Sequence, residues 1–210
     1  PGDRPEPGIR LAGEAQLTRE TFVVAGSRHE LDSIRTHYGE PARGSEVIHP
    51  GVDTTLFAPT EGERRPGEPL RLTVLGRVQP LKGQDLAISA LADLVQRHPG
   101  IGARVELVIA GEPTPGAEEY ASGLRVLAAR LGVSAQIRFL PRQSRGDAAA
   151  LLASSAAVVI PSLSETFGLV ALEAAACGVP LVVVAHTGLR EAAPENVAAL
   201  HVHGRNPSKW

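Results

Sequence analysis

The chain has 210 residues, of which 43% are hydrophobic, so it is long enough to bury a substantial core. Its 21 lysines and arginines nearly balance its 23 aspartates and glutamates, which argues against general attraction to the phosphates of nucleic acid. Aromatic residues make up only 3%, which weakens the case for a stacking platform for single-stranded nucleic acid. The single cysteine, Cys177, excludes both an intrachain disulfide framework and a cysteine zinc cluster.

Two features predict that the chain is a fragment of a longer protein. It contains no methionine, so Pro1 is not a natural start. Residues 207–210, Pro-Ser-Lys-Trp, look like the opening of a helix that does not continue.

The richest apolar stretch, residues 167–185, is interrupted by Glu173, Gly178 and Pro180, and therefore favours a helix, a turn and a strand over a membrane span.

The N-terminal part of the chain predicts few regular elements. Residues 1–16 are rich in proline, glycine and charge and show no periodicity. Thr21–Ala25 predicts a short strand, Ser27 can cap a helix that ends at about Tyr38, and Glu46–His49 predicts a second strand. Prolines and glycines among charges make residues 58–69 the best linker candidate.

From residue 70 onward, strand-like and helical runs alternate strictly. The predicted strands are Leu70–Leu75, Val105–Ala110, Gln136–Leu140, Ala157–Ile160 and Leu181–Val184, and the predicted helices are Lys82–Arg97, Ala117–Leu131, Gly146–Ser155 and Gly168–Cys177. The strands are almost wholly apolar, as expected when both faces of a sheet are covered. This pattern predicts an α/β fold with a doubly wound, Rossmann-like parallel sheet, whose ligands bind at the carboxyl ends of the strands.

The loop after the first of these strands, residues 76–83, has features that favour a phosphate. This Arg77 loop contains Gly76, Arg77 and Lys82 and runs into a predicted helix. It is not a Walker loop, because Gly83 follows the lysine instead of preceding it, and the chain has no G-x-G-x-x-G after a strand. Taken singly, each cation is as well explained as a solvated surface charge.

A second candidate loop, residues 161–168, precedes the predicted helix Gly168–Cys177. This Glu165 loop carries one carboxylate just before the helix, and Glu173 lies eight residues further on, inside it. The unpaired amides of the helix N-terminus attract an anion, and carboxylates accept hydrogen bonds from sugar hydroxyls. Taken alone, Glu165 is better explained as a charge that complements the helix dipole, and Glu173 as an exposed helix residue. Together with Arg77 and Lys82, they favour a ligand with a diphosphate centre and a sugar at each end.

Four segments resemble the retaining glycosyltransferases of family 4, which have the GT-B fold. They are GRVQPLKG at 76–83, HPGVDTTLFAP at 49–59, RFLPRQSR at 138–145 and SETFGLVALEAAACGVPLV at 164–182. The resemblance covers about residues 17–210 and is strongest to the branch that glycosylates inositol phosphate in mycothiol synthesis. It implies that residues 67–210 are the C-terminal donor-binding domain, truncated at its end, and that residues 1–66 are the tail of the acceptor domain plus a linker.

The resemblance also implies roles for individual residues. Gly76, Arg77 and Lys82 match the group that binds the nucleotide diphosphate, and Glu165 matches the carboxylate beside the donor sugar. Glu173 matches the acid that binds the ribose. The residues whose amides match those touching sugar and phosphate are Thr166, Phe167, Gly168, Leu169 and Val170. Arg142 lies in the loop that packs on the base, and the resemblance makes Arg77, Lys82 and Glu165 the catalytic residues.

Three residues depart from the pattern of the family. Arg142 stands where proline is frequent, Thr187 replaces a glycine, and Arg190 replaces a proline. None of these departures removes a diphosphate or ribose contact.

The implied reaction is transfer of a sugar from a UDP-, GDP- or ADP-linked donor to a small-molecule, lipid or glycan acceptor, with retention of configuration. We expect no cofactor, no protein-bound metal and no nucleic acid partner, and we expect the fragment alone to be inactive. We also expect a cytoplasmic protein, with peripheral contact to the inner membrane face made through the missing domain. A nucleotide-sugar epimerase of the same fold and a binding-only, inactive module stay open as alternatives.

Overall fold

The computed structural model describes residues 7–60, 67–197 and 199–210, with side chains from Arg10 onward. The chain divides into two compact units, one ending at Pro50 and the other beginning at Gly51. Residues 61–66, which belong to the predicted linker, lie outside the described residues. The units divide earlier than the expected change of domain at 66/67, because Phe57 is buried in the core of the second unit. The assignment of residues 1–66 to an acceptor domain stays a prediction.

The first unit contains two helices and a two-stranded parallel sheet. Its elements are α1 (Pro7–Glu20), β1 (Val23–Ala25), α2 (Arg28–Tyr38) and β2 (Ser45–Val47). Ser27 caps α2, as expected, by accepting a hydrogen bond from the amide of Glu30 at 2.9 Å. The absence of periodicity at residues 1–16 was a poor guide to α1. Apart from Gly13 and Thr18, residues 10–20 of this helix are good helix formers, and Arg10 and Glu14 form an ion pair.

The second unit is a six-stranded parallel sheet with helices on both faces. Its strands are β3 (Leu70–Leu75), β4 (Val105–Ala110), β5 (Ile137–Leu140), β6 (Ala157–Ile160), β7 (Leu181–Val184) and β8 (Ala199–Val202). Its helices are α3 (Gln84–Arg97), α4 (Pro99–Gly102), α5 (Glu118–Arg130), α6 (Arg145–Ala153), α7 (Leu169–Ala176) and α8 (Leu189–Ala192). The strand order is β5-β4-β3-β6-β7-β8, and every neighbouring pair is parallel.

Two apolar clusters show how the sheet is covered. One cluster joins α6 and α7 to Val158 and Ile160, whereas the other joins α3 and α5 to Val159. Successive residues of a strand point to opposite faces, so this alternation places helices on both sides of the sheet. The doubly wound fold predicted from the strand and helix alternation is confirmed.

The predicted elements agree with the structure apart from their ends. Lys82 was expected to open α3, but it ends a 3₁₀ turn, Pro80–Lys82, and α3 begins at Gln84. Gly83, at φ 70°, separates the two in a left-handed conformation that favours glycine. Across the described ranges, no helix is both long and apolar enough to cross a bilayer.

Candidate functional site

The order of the strands places the two candidate loops side by side. The Arg77 loop follows β3, the Glu165 loop follows β6, and these strands are neighbours in the sheet. The amide of Leu163 donates a hydrogen bond to the carbonyl of Leu81 at 2.8 Å, which joins one loop directly to the other. The two loops therefore form one surface at the carboxyl edge of the sheet, where ligands of this fold class bind.

The closest contact between the loops is an ion pair. Lys82 Nζ lies 2.6 Å from Glu165 Oε1, and the two side chains are only 21% and 15% exposed. The hydroxyl of Ser162 donates to the same carboxylate oxygen at 2.7 Å. Within the described residues, Glu165 Oε2 accepts no hydrogen bond. One carboxylate oxygen thus fixes the side chain, and the other can accept a further hydrogen bond.

Arg77 and Glu173 line a cleft of about 500 Å³ beside this ion pair. The other lining residues come from the loops that follow β3, β4 and β5, from α6 and from the segment before β3: Phe57, Leu75, Gly76, Ala110, Gly111, Glu112, Pro113, Thr114, Pro115, Arg142, Gln143, Ser144, Arg145 and Ala148. Lys82 and Glu165 are not among them. The structure thus groups Gly76, Arg77, Arg142 and Glu173 around one cleft, next to the Lys82–Glu165 pair.

Close backbone packing shapes the wall of this cleft. A Cβ atom on Gly111 would lie 1.9 Å from the carbonyl oxygen of Gly76, so only glycine fits where the β3 and β4 loops meet. Val78 continues the pairing beyond the ends of the strands by donating to the carbonyl of Glu112 at 2.8 Å. The Arg77 loop is therefore held against the β4 loop by backbone contacts.

The charge state of Glu173 depends on two opposing effects. Partial burial raises the pKa of its carboxyl, and the positive charge of Arg145 partly offsets this by lowering the same pKa. No described residue makes a hydrogen bond or an ion pair with the Glu173 side chain, nor with the guanidinium of the exposed Arg77. Both charged groups are therefore available to a molecule in the cleft.

The N-terminus of α7 completes the edge of the site. Gly168 precedes the helix at φ 113°, and no side chain caps it. The amides of Leu169 and Val170 fall in the first turn, where no intrahelical acceptor is available. Thr166 is exposed, whereas the ring of Phe167 is buried in the core and does not face a ligand.

Sequence reasoning missed three residues that contribute to this region. Arg145 lines the cleft and acts on Glu173, Ser162 fixes Glu165, and Glu112 adds a carboxylate to the wall. A signal for Arg145 was present, because Ser144 caps α6 and a residue that opens a helix after β5 must lie at the same edge of the sheet. Nothing in the sequence marks Ser162 or Glu112.

The described residues include no cluster of three or more histidine, cysteine, aspartate or glutamate side chains that could hold a metal ion. His201 is buried on β8, and its Nε2 lies 2.7 Å from the carbonyl of Ala193. That contact accounts for one ring nitrogen by packing within the fold.

Solved structures share this architecture. The complex of Anabaena HepE with UDP and glucose superposes with a TM-score of 0.83 at 23% identity, over 96% of this chain and 55% of that chain. The sucrose-phosphate synthase of Thermosynechococcus elongatus gives a TM-score of 0.82 at 23% identity, over 98% and 51%. The fold is that of one half of a GT-B glycosyltransferase.

A family model described as glycosyl transferases group 1 matches residues 60–210. The chain therefore belongs to the glycosyl transferases group 1 family. It is 40% identical over 222 residues to the D-inositol 3-phosphate glycosyltransferase of Salinispora arenicola, and 40% identical over 219 residues to that of Mycobacterium avium. Each alignment includes all of this chain but only 50% and 49% of the relative, so the chain spans about half the length of these curated relatives.

Proposed function

We propose that this chain carries the donor site of a retaining glycosyltransferase and binds a UDP-linked sugar. The observation that carries the proposal is the arrangement of Arg77 and Glu173 around one cleft, with the Lys82–Glu165 pair on the adjoining loops. Family membership supports a nucleotide-sugar reaction, and structures such as the HepE complex contain UDP. The curated relatives are named as glycosyltransferases, which favours transfer over epimerisation or binding alone.

The diphosphate would lie between Arg77 and the N-terminus of α7. Arg77 offers a guanidinium without a competing carboxylate among the described residues, and the amides of Leu169 and Val170 offer neutral donors. Lys82 is already close to Glu165, so its ammonium can bridge that carboxylate and a phosphate oxygen. Two fixed cations stabilise the negative charge that develops on a departing diphosphate, and we propose that they do so without a bound metal.

The two glutamates would hold the two sugars of the donor. Glu165 Oε2 can accept a hydroxyl of the transferred sugar while Lys82 and Ser162 hold Oε1. Glu173 can accept the hydroxyls of the ribose, and Arg142 belongs to the loop that would pack on the base. Because Oε1 of Glu165 is tied on two sides, we propose attack on the same face as departure instead of a covalent enzyme intermediate.

The names of the curated relatives make an inositol phosphate the first acceptor to test, ahead of other small molecules, lipids or glycans. We propose that residues 1–66 are the end of the acceptor domain and its linker, and that this chain by itself binds the donor without transferring the sugar. The proposed location is the cytoplasm, with peripheral membrane contact through the acceptor half.

Calorimetric titration of the 210-residue chain with UDP, GDP and ADP in EDTA tests the metal-free donor site. UDP should bind, and Arg77→Gln should weaken its binding by about ten- to a hundredfold, because a charge-assisted hydrogen bond is lost. Arg104→Gln is the matched control, since Arg104 is exposed just before β4, at the opposite edge of the sheet. A folded chain that binds UDP only with added Mg²⁺, or that responds equally to both substitutions, would contradict the proposal.

A second titration separates the roles of the glutamates. Glu173→Gln should weaken the binding of UDP and the binding of UDP-glucose equally, because both ligands contain the ribose. Glu165→Gln should remove the advantage of UDP-glucose over UDP while leaving UDP binding unchanged or tighter, since Lys82 is then released to the diphosphate. The reverse pattern would show that the two roles are assigned the wrong way round.

A further inference from the structure

Gln84 is a fully buried polar residue that lies next to the candidate site without lining its cleft. It is the first residue of α3, directly after the Arg77 loop, and its exposed fraction is 0%. Its side-chain Nε2 donates a hydrogen bond to the backbone carbonyl of Arg77 at 3.0 Å. A buried amide must be hydrogen-bonded to avoid a desolvation cost, and here the bond spans the whole loop.

The geometry of the sheet explains why the carbonyl of Arg77 needs this partner. The amides of Gly76 and Val78 both donate toward the β4 side, to Ala110 and Glu112. Successive residues of a parallel strand bond to opposite sides, so the carbonyl of Arg77 faces away from β4. On that side β3 pairs with β6 only through Leu72 and Thr73, and Gln84 takes the place of the missing strand.

Gln84 is itself held by a side chain from another helix. The hydroxyl of Tyr120, on α5, lies 3.3 Å from Gln84 Oε1 and 2.8 Å from Asp85 Oδ1. It also accepts a hydrogen bond from the backbone amide of Asp85 at 3.2 Å. Burial raises the pKa of Tyr120, so its hydroxyl keeps its proton and serves as a donor at the start of α3.

The same contacts continue to the Glu165 loop. Arg205 lies with one nitrogen 3.5 Å from Asp85 Oδ2 and donates from the other to the carbonyl of Pro161 at 3.2 Å. Tyr120, Gln84, Asp85 and Arg205 therefore connect the start of α3 to the backbone of both loops. The network bonds to the backbone that carries Arg77, and its side chains stay outside the cleft.

We propose that Gln84 is a positioning residue for the donor site, acting through Arg77. By fixing the carbonyl of Arg77, it holds the backbone from which the guanidinium reaches the diphosphate. This inference rests on the proposed function, because it assumes that Arg77 binds the diphosphate of the donor. It adds that the affinity contributed by Arg77 depends on a residue that never touches the ligand.

The test uses Gln84→Met, which keeps the length of the side chain and removes both polar atoms. UDP and UMP are titrated into the wild-type chain, Gln84→Met, Arg77→Gln and the double variant, and the thermal midpoint of each is recorded. Gln84→Met should weaken the binding of UDP by about five- to tenfold and change the binding of UMP by less than twofold. This is expected when one hydrogen bond at the diphosphate end is misplaced. In the Arg77→Gln background, Gln84→Met should have no further effect on UDP.

Gln136→Met is the matched control. Gln136 also donates its side-chain amide to a backbone carbonyl, that of Gly102, at 2.7 Å, but just before β5 and far from the carboxyl edge. It should change stability without changing the ratio of UDP to UMP affinity. If Gln84→Met does not fold, Tyr120→Phe takes its place, since it removes the hydroxyl beside Gln84. The ratio of UDP affinity to UMP affinity should then fall, as expected for Gln84→Met.

The outcomes separate the two proposals. Wild-type chain that binds neither nucleotide overturns the proposed function and this inference with it. Two results overturn the positioning role alone, provided that the wild-type chain binds UDP. One is that Gln84→Met lowers the affinities for UDP and UMP equally. The other is that its effect on UDP affinity adds to that of Arg77→Gln. An unchanged ratio in Tyr120→Phe, where that variant is needed, also overturns it.

Discussion

Thr187 occupies a backbone conformation that disfavours its side chain. Its φ is 75°, in the left-handed region, where a β-branched residue is strained. Its hydroxyl is buried and has no hydrogen-bond partner among the described residues. The next residue, Gly188, donates its amide to the carbonyl of Glu165 at 3.0 Å. The strain is therefore located in the segment that supports the Glu165 loop.

Thr187→Gly should stabilise the protein. The substitution relieves about 1–3 kcal/mol of backbone strain and removes an unpaired hydroxyl, and it costs about 0.5–1 kcal/mol in the entropy of the unfolded chain. We expect a net gain of about 1–2 kcal/mol, equivalent to a thermal midpoint about 2–8 °C higher. Differential scanning calorimetry and urea unfolding provide the measurement.

Asn196→Gly is the control for Thr187→Gly. Asn196 also has a positive φ, 60°, but it is exposed, and asparagine tolerates the left-handed region. Its replacement should change stability by less than about 0.5 kcal/mol. Equal gains from both substitutions, or a loss from Thr187→Gly, would show that residue 187 is not strained in the folded protein.

The raised pKa of Glu173 leads us to expect that nucleotide binding depends on pH. Its pKa is raised by burial, and in the proposed donor site its carboxylate form accepts the ribose hydroxyls. As the pH falls through this raised pKa, the carboxyl gains a proton and the charge-assisted hydrogen bond is lost. The ratio of UDP Kd between Glu173→Gln and wild type should be about 10–100 at pH 8 and should fall toward one in acid. Taking this ratio cancels the titration of UDP itself.

The Glu173 carboxyl affects folding stability with a pH dependence opposite to its effect on nucleotide binding. A carboxyl whose pKa is raised by folding favours the folded state at low pH, and this advantage is lost as the pH rises. Glu173→Gln should therefore be as stable as wild type or more stable at pH 8, although it binds UDP less well. Arg145→Gln should move the loss of binding to higher pH, because the charge that lowers the pKa is removed. A Kd ratio that stays flat from pH 8 down to a pH at which the Glu173 carboxyl is protonated would exclude the ionised carboxylate as the ribose acceptor.

At the scale of elements, the Glu165 loop is positioned by the segment that follows β7. His186 Nε2 lies 3.3 Å from the carbonyl of Leu163, and Gly188 bonds to Glu165. A Cβ atom on Gly188 would lie only 2.0 Å from the carbonyl oxygen of Thr166. Since Gly188 has a negative φ of −60°, its requirement for glycine comes from this close approach and not from backbone conformation.

Gly188→Ala should therefore disturb the Glu165 loop. The methyl group must displace the backbone of Thr166, so we expect weaker UDP-glucose binding and a lower thermal midpoint, with a loss of about 1–3 kcal/mol typical of overpacking. Gly51→Ala is the control, because a Cβ there meets nothing within 4 Å. Should Gly188→Ala retain full stability and UDP-glucose affinity, the tight contact between the two segments would not be needed.

The elements themselves were largely predictable from local pattern. The predicted bounds of β3, β4, β6 and β7 agree with the structure to the residue, because strands covered on both faces are mostly apolar. The runs of β6 and β7 are uninterrupted, whereas β3 contains Arg71 and Thr73 and β4 contains Glu106. Short elements were harder, since α8 has only four residues and no amphipathic period can develop over that length. α1 was missed because its helix-forming composition carries no apolar stripe.

At the scale of the whole molecule, the second unit has a core of its own. Both apolar clusters consist of residues from Val52 onward, and they enclose the sheet on its two faces. In the first unit, the buried apolar residues among those described are Ala25, Leu31 and Pro41. A core so small is insufficient to offset the conformational entropy of folding.

The chain shortened to residues 51–210 should therefore fold and bind UDP as the full chain does. We expect one cooperative unfolding transition by circular dichroism and a UDP Kd within about twofold of the full chain, because every residue of the candidate site lies in the second unit. Residues 1–50 alone should remain unfolded. Loss of UDP binding in the shortened chain would mean that the first unit contributes to the donor site.

Sequence reasoning placed the candidate residues at the carboxyl edge of the sheet, where the structure has them, because local signals act over short distances. A strand that runs through a glycine into a helix start places Arg77 at the carboxyl edge whatever the order of the strands. The same holds for Glu173, which lies one turn inside a helix that opens at that edge. Helix capping by Ser27 and the alternation of strands and helices are likewise properties of neighbouring residues.

Only the tertiary structure decided which of these residues meet. Lys82 and Glu165 are separated by 83 positions and pair because β3 and β6 are neighbours in the sheet. The effect of Arg145 on Glu173 and the bond of Gln84 to the carbonyl of Arg77 arise in the same way, from helices packed against particular strands. Strand order is set by the packing of the whole core and not by the residues of any one strand, so these contacts leave no local mark in the sequence.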